Sequence, residues 1–186
     1  AFSDTAENGW RRKLVPSYKM NRTKPKPPGF YEVRDYAVEV YNGFLEPTLE
    51  ADDLLGMWST STKLKGDRII VSDDKDFFSI PGLFYRPCDP SKGFQEISRE
   101  EADRWHLLQT LMGDAVDGYP GLWKVGPVTA NKILDEDCNW DRVVQAYVER
   151  DRTEAEALAT AARPACIICI SCADIFTGSS SSSSFT

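Results

Sequence analysis

The sequence predicts an α/β domain followed by a helical module. Two observations carry this. Short β-branched or aromatic runs, RIIVS at 68–72 and LFYR at 83–86, lie among helical patterns in the first hundred residues, as where strands alternate with helices. From residue 98 onward only helical patterns recur, at 98–111, 127–134 and 139–149.

The elements follow in order. Residues 1–28 hold a short apolar start and then a basic arm, whose prolines at 25, 27 and 28 exclude a regular helix at its end. Between residues 8 and 31 there is no acid, but there are Arg11, Arg12, Lys13, Lys19, Arg22, Lys24 and Lys26. In a chain of net charge -7 such a segment points to a local polyanion contact; a solvated, disordered arm fits the composition equally. Residues 31–42 place apolar groups at 33, 37, 38, 40 and 41, a helical spacing. GFLEPT at 43–48 reads as a short strand and turn, and 49–62 as a helix opening with acids, as the helix dipole favours. RIIVS suits a buried parallel strand. Ser98 and Glu101 form a capping box ahead of the next helix.

Composition narrows the function classes. Hydrophobic residues are 41% and charged residues 27%, ordinary for a soluble globular protein. No apolar stretch reaches the roughly 18 residues of a membrane span. Five cysteines without framework spacing suit a reducing compartment. No signal peptide is visible; AFSD at the start reads as a strand end followed by a loop acid, so a preceding segment is expected. The end differs in kind. Cys166, Cys169 and Cys172 open a cluster-type spacing, but Phe176 stands where a fourth ligand belongs, and a serine run follows. Residues 151–186 are therefore expected to form a disordered tail.

Four acidic groups stand out: Asp4; Glu50, Asp52 and Asp53; Asp74 and Asp76; Asp114 and Asp117. Glu50 and Asp53, three apart at a helix start, share a face. Asp74 and Asp76 follow a predicted strand at its C-terminal end, where open α/β sheets bind ligands. Each group alone also fits a helix cap, a turn acid or an Asx-turn. Together, clustered carboxylates need a neutralising cation. Oxygen ligands without paired His or Cys point to Mg²⁺ or Mn²⁺, and two such ions about 4 Å apart would serve phosphodiester hydrolysis. His106, inside a helical pattern, is expected to be structural.

The stretch 120–134, PGLWKVGPVTANKIL, supplies a tight turn followed at once by a helix. Backbone N–H groups of such a turn can hold a phosphate, and Gly126 permits close approach. Pro127 suits the first helical turn, and Thr129 and Lys132 add contacts. A plain helix-turn-helix packing unit is the alternative.

YKMNR (18–22), EADD (50–53), SDDKD (72–76), GDAVDGYPG (113–121) and KVGPVTANKIL (124–134) occur in the order seen in the flap endonuclease family. The chain most resembles its phage-type 5′→3′ exonucleases over about residues 1–150. The resemblance implies a PIN-like 5′-nuclease sheet with helices on both faces, followed by a helix-hairpin-helix DNA-binding element. The nuclease domain would span 1–108, N-terminally truncated and with a basic arch segment at about 8–30, and the helix-hairpin-helix region 109–150. It implies that Asp4, Glu50, Asp52, Asp53, Asp74, Asp76, Asp114 and Asp117 are direct or water-mediated ligands of two divalent ions, with Asp73 at a non-ligand position. It also implies that Lys19 and Arg22 stabilise charge on the scissile phosphate and that Tyr18 stacks on the terminal base. Gly121, Lys124, Val125, Gly126, Thr129 and Lys132 would grip the duplex, with a potassium ion at the hairpin carbonyls. Lys124 departs from the family, which commonly has glycine there. A further family aspartate would lie on a strand preceding Ala1. The implied partner is duplex or 5′-flap DNA, met by a monomer in the cytoplasm of a bacterial host.

The competing reading is a non-catalytic DNA-binding module that uses the basic arm and hairpin alone. A third is a structural helix-hairpin-helix unit of a larger repair complex.

Overall fold

The structure is a computed structural model that describes residues 1–3 and 8–150. Asp4, and the cysteine and serine run expected to be a disordered tail, lie outside the described residues. A five-residue helix α1 (Trp10–Leu14) sits in the basic arm, followed by α2 (Phe30–Val40) and α3 (Ala51–Thr60). Strand β1 (Ile69–Val71) leads through a 3₁₀ turn, Lys75–Ser79, to β2 (Gly82–Tyr85) and β3 (Phe94–Ile97). Helices α4 (Arg99–Met112), α5 (Pro127–Glu136) and α6 (Trp140–Arg150) complete the chain. Among the described residues no helix is long and apolar enough to cross a membrane.

The sheet is small and mixed: order β1-β2-β3, with β1 parallel to β2 and β2 antiparallel to β3. Among the described residues the strand expected at 43–48 is present as one parallel bridge, Phe2 with Leu45. Strand β3 was not anticipated; its four residues run straight into the capping box of α4, which leaves too short an alternation to read. That box forms in full: the Glu101 N–H donates to Ser98 Oγ at 3.1 Å, and the Ser98 N–H to Glu101 Oε2 at 2.8 Å.

Two cores divide the molecule. Ile70, Phe77, Ile80 and Phe84 pack beneath the sheet. Leu107, Leu108 and Leu111 of α4 join Leu122, Val125, Ile133, Leu134, Val143 and Tyr147 in a helical core. Helix α4 belongs to both, through Trp105 stacked edge-on to Phe78, so the expected boundary at 108 falls inside a continuous helix. Helix α2 is formed as its spacing predicts yet buries none of its residues, leaving Phe30, Tyr31, Val33 and Tyr36 exposed.

The loop after α4 depends on two glycines. Gly113 (φ 75°) and Gly121 (φ 63°) cross back to back; a Cβ on Gly121 would lie 2.3 Å from the Gly113 nitrogen. Between them, Asp114 and Tyr119 exchange both backbone hydrogen bonds at 2.8 Å, closing a tight loop that presents Asp114 and Asp117. Gly121→Ala is expected to destabilise the protein by roughly 2–3 kcal/mol, from left-handed strain plus forced separation of two backbones. Gly126→Ala, at φ -102° with open space around it, should cost only about 0.5–1 kcal/mol as an N-cap change. Urea unfolding midpoints of the two variants check the contrast.

Candidate active site

The sequence brings carboxylates to one region by three local devices. The start of α3 carries Glu50, Asp52 and Asp53. The 3₁₀ turn after β1 carries Asp74 at its N-cap, accepting from the Asp76 N–H at 2.9 Å. The glycine-crossed loop carries Asp114, whose Oδ1 accepts from Val116 at 2.7 Å and Asp117 at 3.3 Å in an Asx-turn.

These acids do not play equal parts. Burial, then the charges of Asp74 and Glu50, push the Asp52 carboxyl up to about 6. Burial, then Asp74, push Asp76 up to about 6 as well; a Gln109 hydrogen bond holds it down and Asp114 adds to the rise. Asp74 is thus the largest neighbouring charge at both. Among the described residues no three acids converge tightly enough to hold an ion by themselves. Repulsion between half-buried charges outlasts contact distance, so the acids are neighbours around an unclosed centre. Such a donor set, all hard oxygen with charge left uncompensated, fits a divalent cation such as Mg²⁺ or Mn²⁺.

Other acids are already occupied. Both oxygens of Asp53 are taken by Arg11, at 2.7 and 2.8 Å, and Oδ2 also accepts from Trp10 Nε1 and the Glu50 N–H. Burial would lower the Arg11 pKa, but the Asp53 hydrogen bonds and charge outweigh it and the pKa rises. Asp53, expected to be a ligand, is here the buried brace between α1 and α3. Glu50 accepts the Lys19 ammonium on both oxygens at 2.8 Å, and Asp117 pairs with Arg22.

Tyr18 departs from its expected role. Its ring is 4% exposed, and its hydroxyl donates to Glu50 at 3.0 Å and to Asp117 at 3.1 Å. Burial pushes that hydroxyl's pKa up, with Glu50 and Asp117 adding to the rise. A ring so enclosed offers no face for stacking; it serves as a hydrogen-bonding post. With the Lys19 N–H on the Asp117 carbonyl and Asn21 on the Ala115 carbonyl, it fastens the basic arm to the Asp114 loop. An open cleft beside this junction is lined by Arg12, Lys19, Arg22, Lys24, Lys26 and Arg34, with Glu50 at its edge.

At the hairpin, Lys124 and Lys132 are exposed and Thr129 half-buried. Lys124 adopts φ 58°, a conformation natural to glycine. Gly121 is held in the glycine crossing. Val125, expected at the DNA surface, instead fills the helical core, and its N–H donates to the Leu122 carbonyl at 3.0 Å. Gly126 caps α5 with Pro127 at its first position.

Three residues of the region were not anticipated. Arg11 gives no sequence signal, since its partner lies 42 residues away. Gln109, with Thr110 one of two polar residues buried in α4, is readable in principle. Trp123 is 73% exposed beneath the Lys124 ammonium, 4.0 Å from its ring centroid; its place in an acid-free run was the available signal.

No family model matches the chain. It is 39% identical over 176 residues to an exonuclease of Escherichia phage T7, covering 85% of this chain and 58% of the relative. It is 38% identical over 128 residues to an exodeoxyribonuclease of Enterobacteria phage T3, covering 66% and 41%. A flap endonuclease Xni of Shewanella baltica is 29% identical over 143 residues, covering 70% and 54%. The chain thus spans about half the length of these curated relatives. In fold it matches a bacteriophage T5 flap endonuclease solved in a pseudo-enzyme–product complex with DNA and metal ions. The TM-score is 0.71 at 16% identity, covering 93% of this chain and 74% of that one. A T5 5′-exonuclease bound to zinc gives 0.64, covering 95% and 72%. In sequence the chain is similar to phage exonucleases, and it has the fold of the T5 flap endonuclease.

Proposed function

We propose that the chain is a divalent-metal-dependent 5′ nuclease that hydrolyses phosphodiester bonds at 5′ ends of duplex or branched DNA, acting as a monomer. The observation that carries this is the pair of half-buried carboxyls, Asp52 and Asp76, both pushed up to about 6 by burial and by the charge of Asp74. Asp52, Asp74, Asp76 and Asp114 supply the open oxygens for two Mg²⁺ or Mn²⁺ ions, with Glu50 and Asp117 at the rim. Divalent ions held by these residues would supply Lewis-acid polarisation of the phosphodiester and a water of lowered pKa.

The chain's own residues do the rest. Lys19 and Arg22, at the edge of the carboxylates, set positive charge where the scissile phosphate gathers negative charge. Lys24, Lys26 and Arg34 extend that field along the cleft and draw in the phosphate backbone. Lys124, Lys132 and the start of α5 hold duplex phosphates further along, and Trp123 offers an apolar face beside them. Of the hairpin carbonyls, Leu122 already accepts from Val125 and Trp123 from Arg150. A potassium ion there would use their second lone pairs.

The test is cleavage of 5′-labelled duplex and flap DNA. Release of short 5′-labelled products with Mg²⁺ or Mn²⁺, and none in EDTA, is the expected result. Salt-sensitive duplex binding without cleavage under both ions would overturn the nuclease reading and leave DNA binding alone.

A further inference from the structure

From Gln109 we infer a positioning residue for the metal centre: its amide, fixed inside α4, sets the orientation of the Asp76 carboxylate. This rests on the metal-dependent reading above. Gln109 is 4% exposed and lies in the turn of α4 that packs against the 3₁₀ turn carrying Asp76. Its Nε2 donates to Asp76 Oδ1 at 2.5 Å, across 33 residues of sequence. Its Oε1 is buried and without a partner among the described residues.

That half-satisfied amide is the telling feature. A buried polar atom left unpaired is unfavourable, and a methionine would fill a similar volume without it. What Gln109 adds to local structure is therefore its donor to Asp76. The donor takes Oδ1 from a direction set by the helix backbone, not by a mobile surface side chain. Oδ2 accepts no hydrogen bond among the described residues and is left for a ligand. Asp76 is otherwise placed only by its short turn, where its N–H reaches Asp74 and its carbonyl accepts from Ser79 at 2.7 Å. Outer partners of metal-binding carboxylates act in this way, and their removal typically weakens metal binding about 10–100-fold.

Calorimetric titration of the full chain with Mn²⁺, compared with Gln109→Met, tests the assignment. Expected is a 10–100-fold weaker Mn²⁺ affinity, with an unfolding temperature in EDTA unchanged or higher because the unpaired oxygen is gone. In an Asp76→Asn background the same change should weaken Mn²⁺ binding no further, since the two residues act as one unit. Unaltered Mn²⁺ affinity in Gln109→Met overturns the inference, as does an equal loss in the Asp76→Asn background. A fall in metal-free stability large enough to prevent folding passes the same criteria to Gln109→Leu. A parent chain that takes up no Mn²⁺ would instead remove the metal-dependent reading itself.

Discussion

Asp53→Ala is expected to lower the unfolding free energy by about 3–5 kcal/mol, measured in EDTA, because it strands a buried guanidinium. Arg11 is 3% exposed and Asp53 6%, and the pair is bidentate, with Trp10 and the Glu50 N–H completing the carboxylate's partners. Removing the acid takes away both of Arg11's charged hydrogen bonds, leaving only Glu50 Oε2 at 3.8 Å as an opposite charge, and leaves the first turn of α3 without an acceptor. The double variant Arg11→Met, Asp53→Leu should recover most of the loss, since replacing both members of a buried pair with apolar groups is often near neutral. The outcome also separates two roles for Asp53. A residue whose purpose was to hold metal would, when replaced, leave metal-free stability unchanged and lower metal affinity only.

That contrast shows where the sequence was legible. Local patterns were: β1 and β2 from β-branched and aromatic runs, α3 from its acidic opening, α4 from its capping box, α5 from Gly126 and Pro127. Each of these signals acts within a few residues. The acids were legible as a set, because like charges gathered in short blocks call for a cation wherever the chain places them. Which acids stay open was not legible, because it depends on cations far away in sequence. Arg11 reaches Asp53 over 42 residues, Lys19 reaches Glu50 over 31, and Arg22 reaches Asp117 over 95. Tyr18 misled for the same reason: the motif YKMNR fixes its neighbours in the chain, not the two carboxylates that enclose its hydroxyl. Helix α2 shows the opposite failure. Its apolar spacing predicts the helix correctly but implies a core face that nothing covers among the described residues.

Asp74→Asn should reduce cleavage on the order of 10³-fold, about 4 kcal/mol of transition-state stabilisation, while making the metal-free protein more stable at neutral pH. Both effects follow from one position. Asp74 is the largest neighbouring charge on Asp52 and on Asp76, so it links the two halves of the proposed centre. The sign of the stability effect follows from linkage. The Asp52 and Asp76 carboxyls are pushed up to about 6 in the fold, against an ordinary value of 3.8. Their contribution is therefore fully present below about pH 4 and is lost as pH rises through about 6. Removing the Asp74 charge lowers both carboxyls toward ordinary values, leaving the parts due to burial, to Glu50 at Asp52 and to Asp114 at Asp76. The variant should then unfold at a higher temperature than the parent at pH 7.5 in EDTA, and the gap should close by pH 4. Mg²⁺ should reverse the order, raising the parent's midpoint more than the variant's, because a ligand that binds only the folded state stabilises in proportion to its affinity. Paired thermal melts at the two pH values, with and without Mg²⁺, measure all three effects. A variant that loses cleavage but shows the parent's pH and Mg²⁺ dependence would mean that Asp74 acts on substrate without joining the two carboxylates.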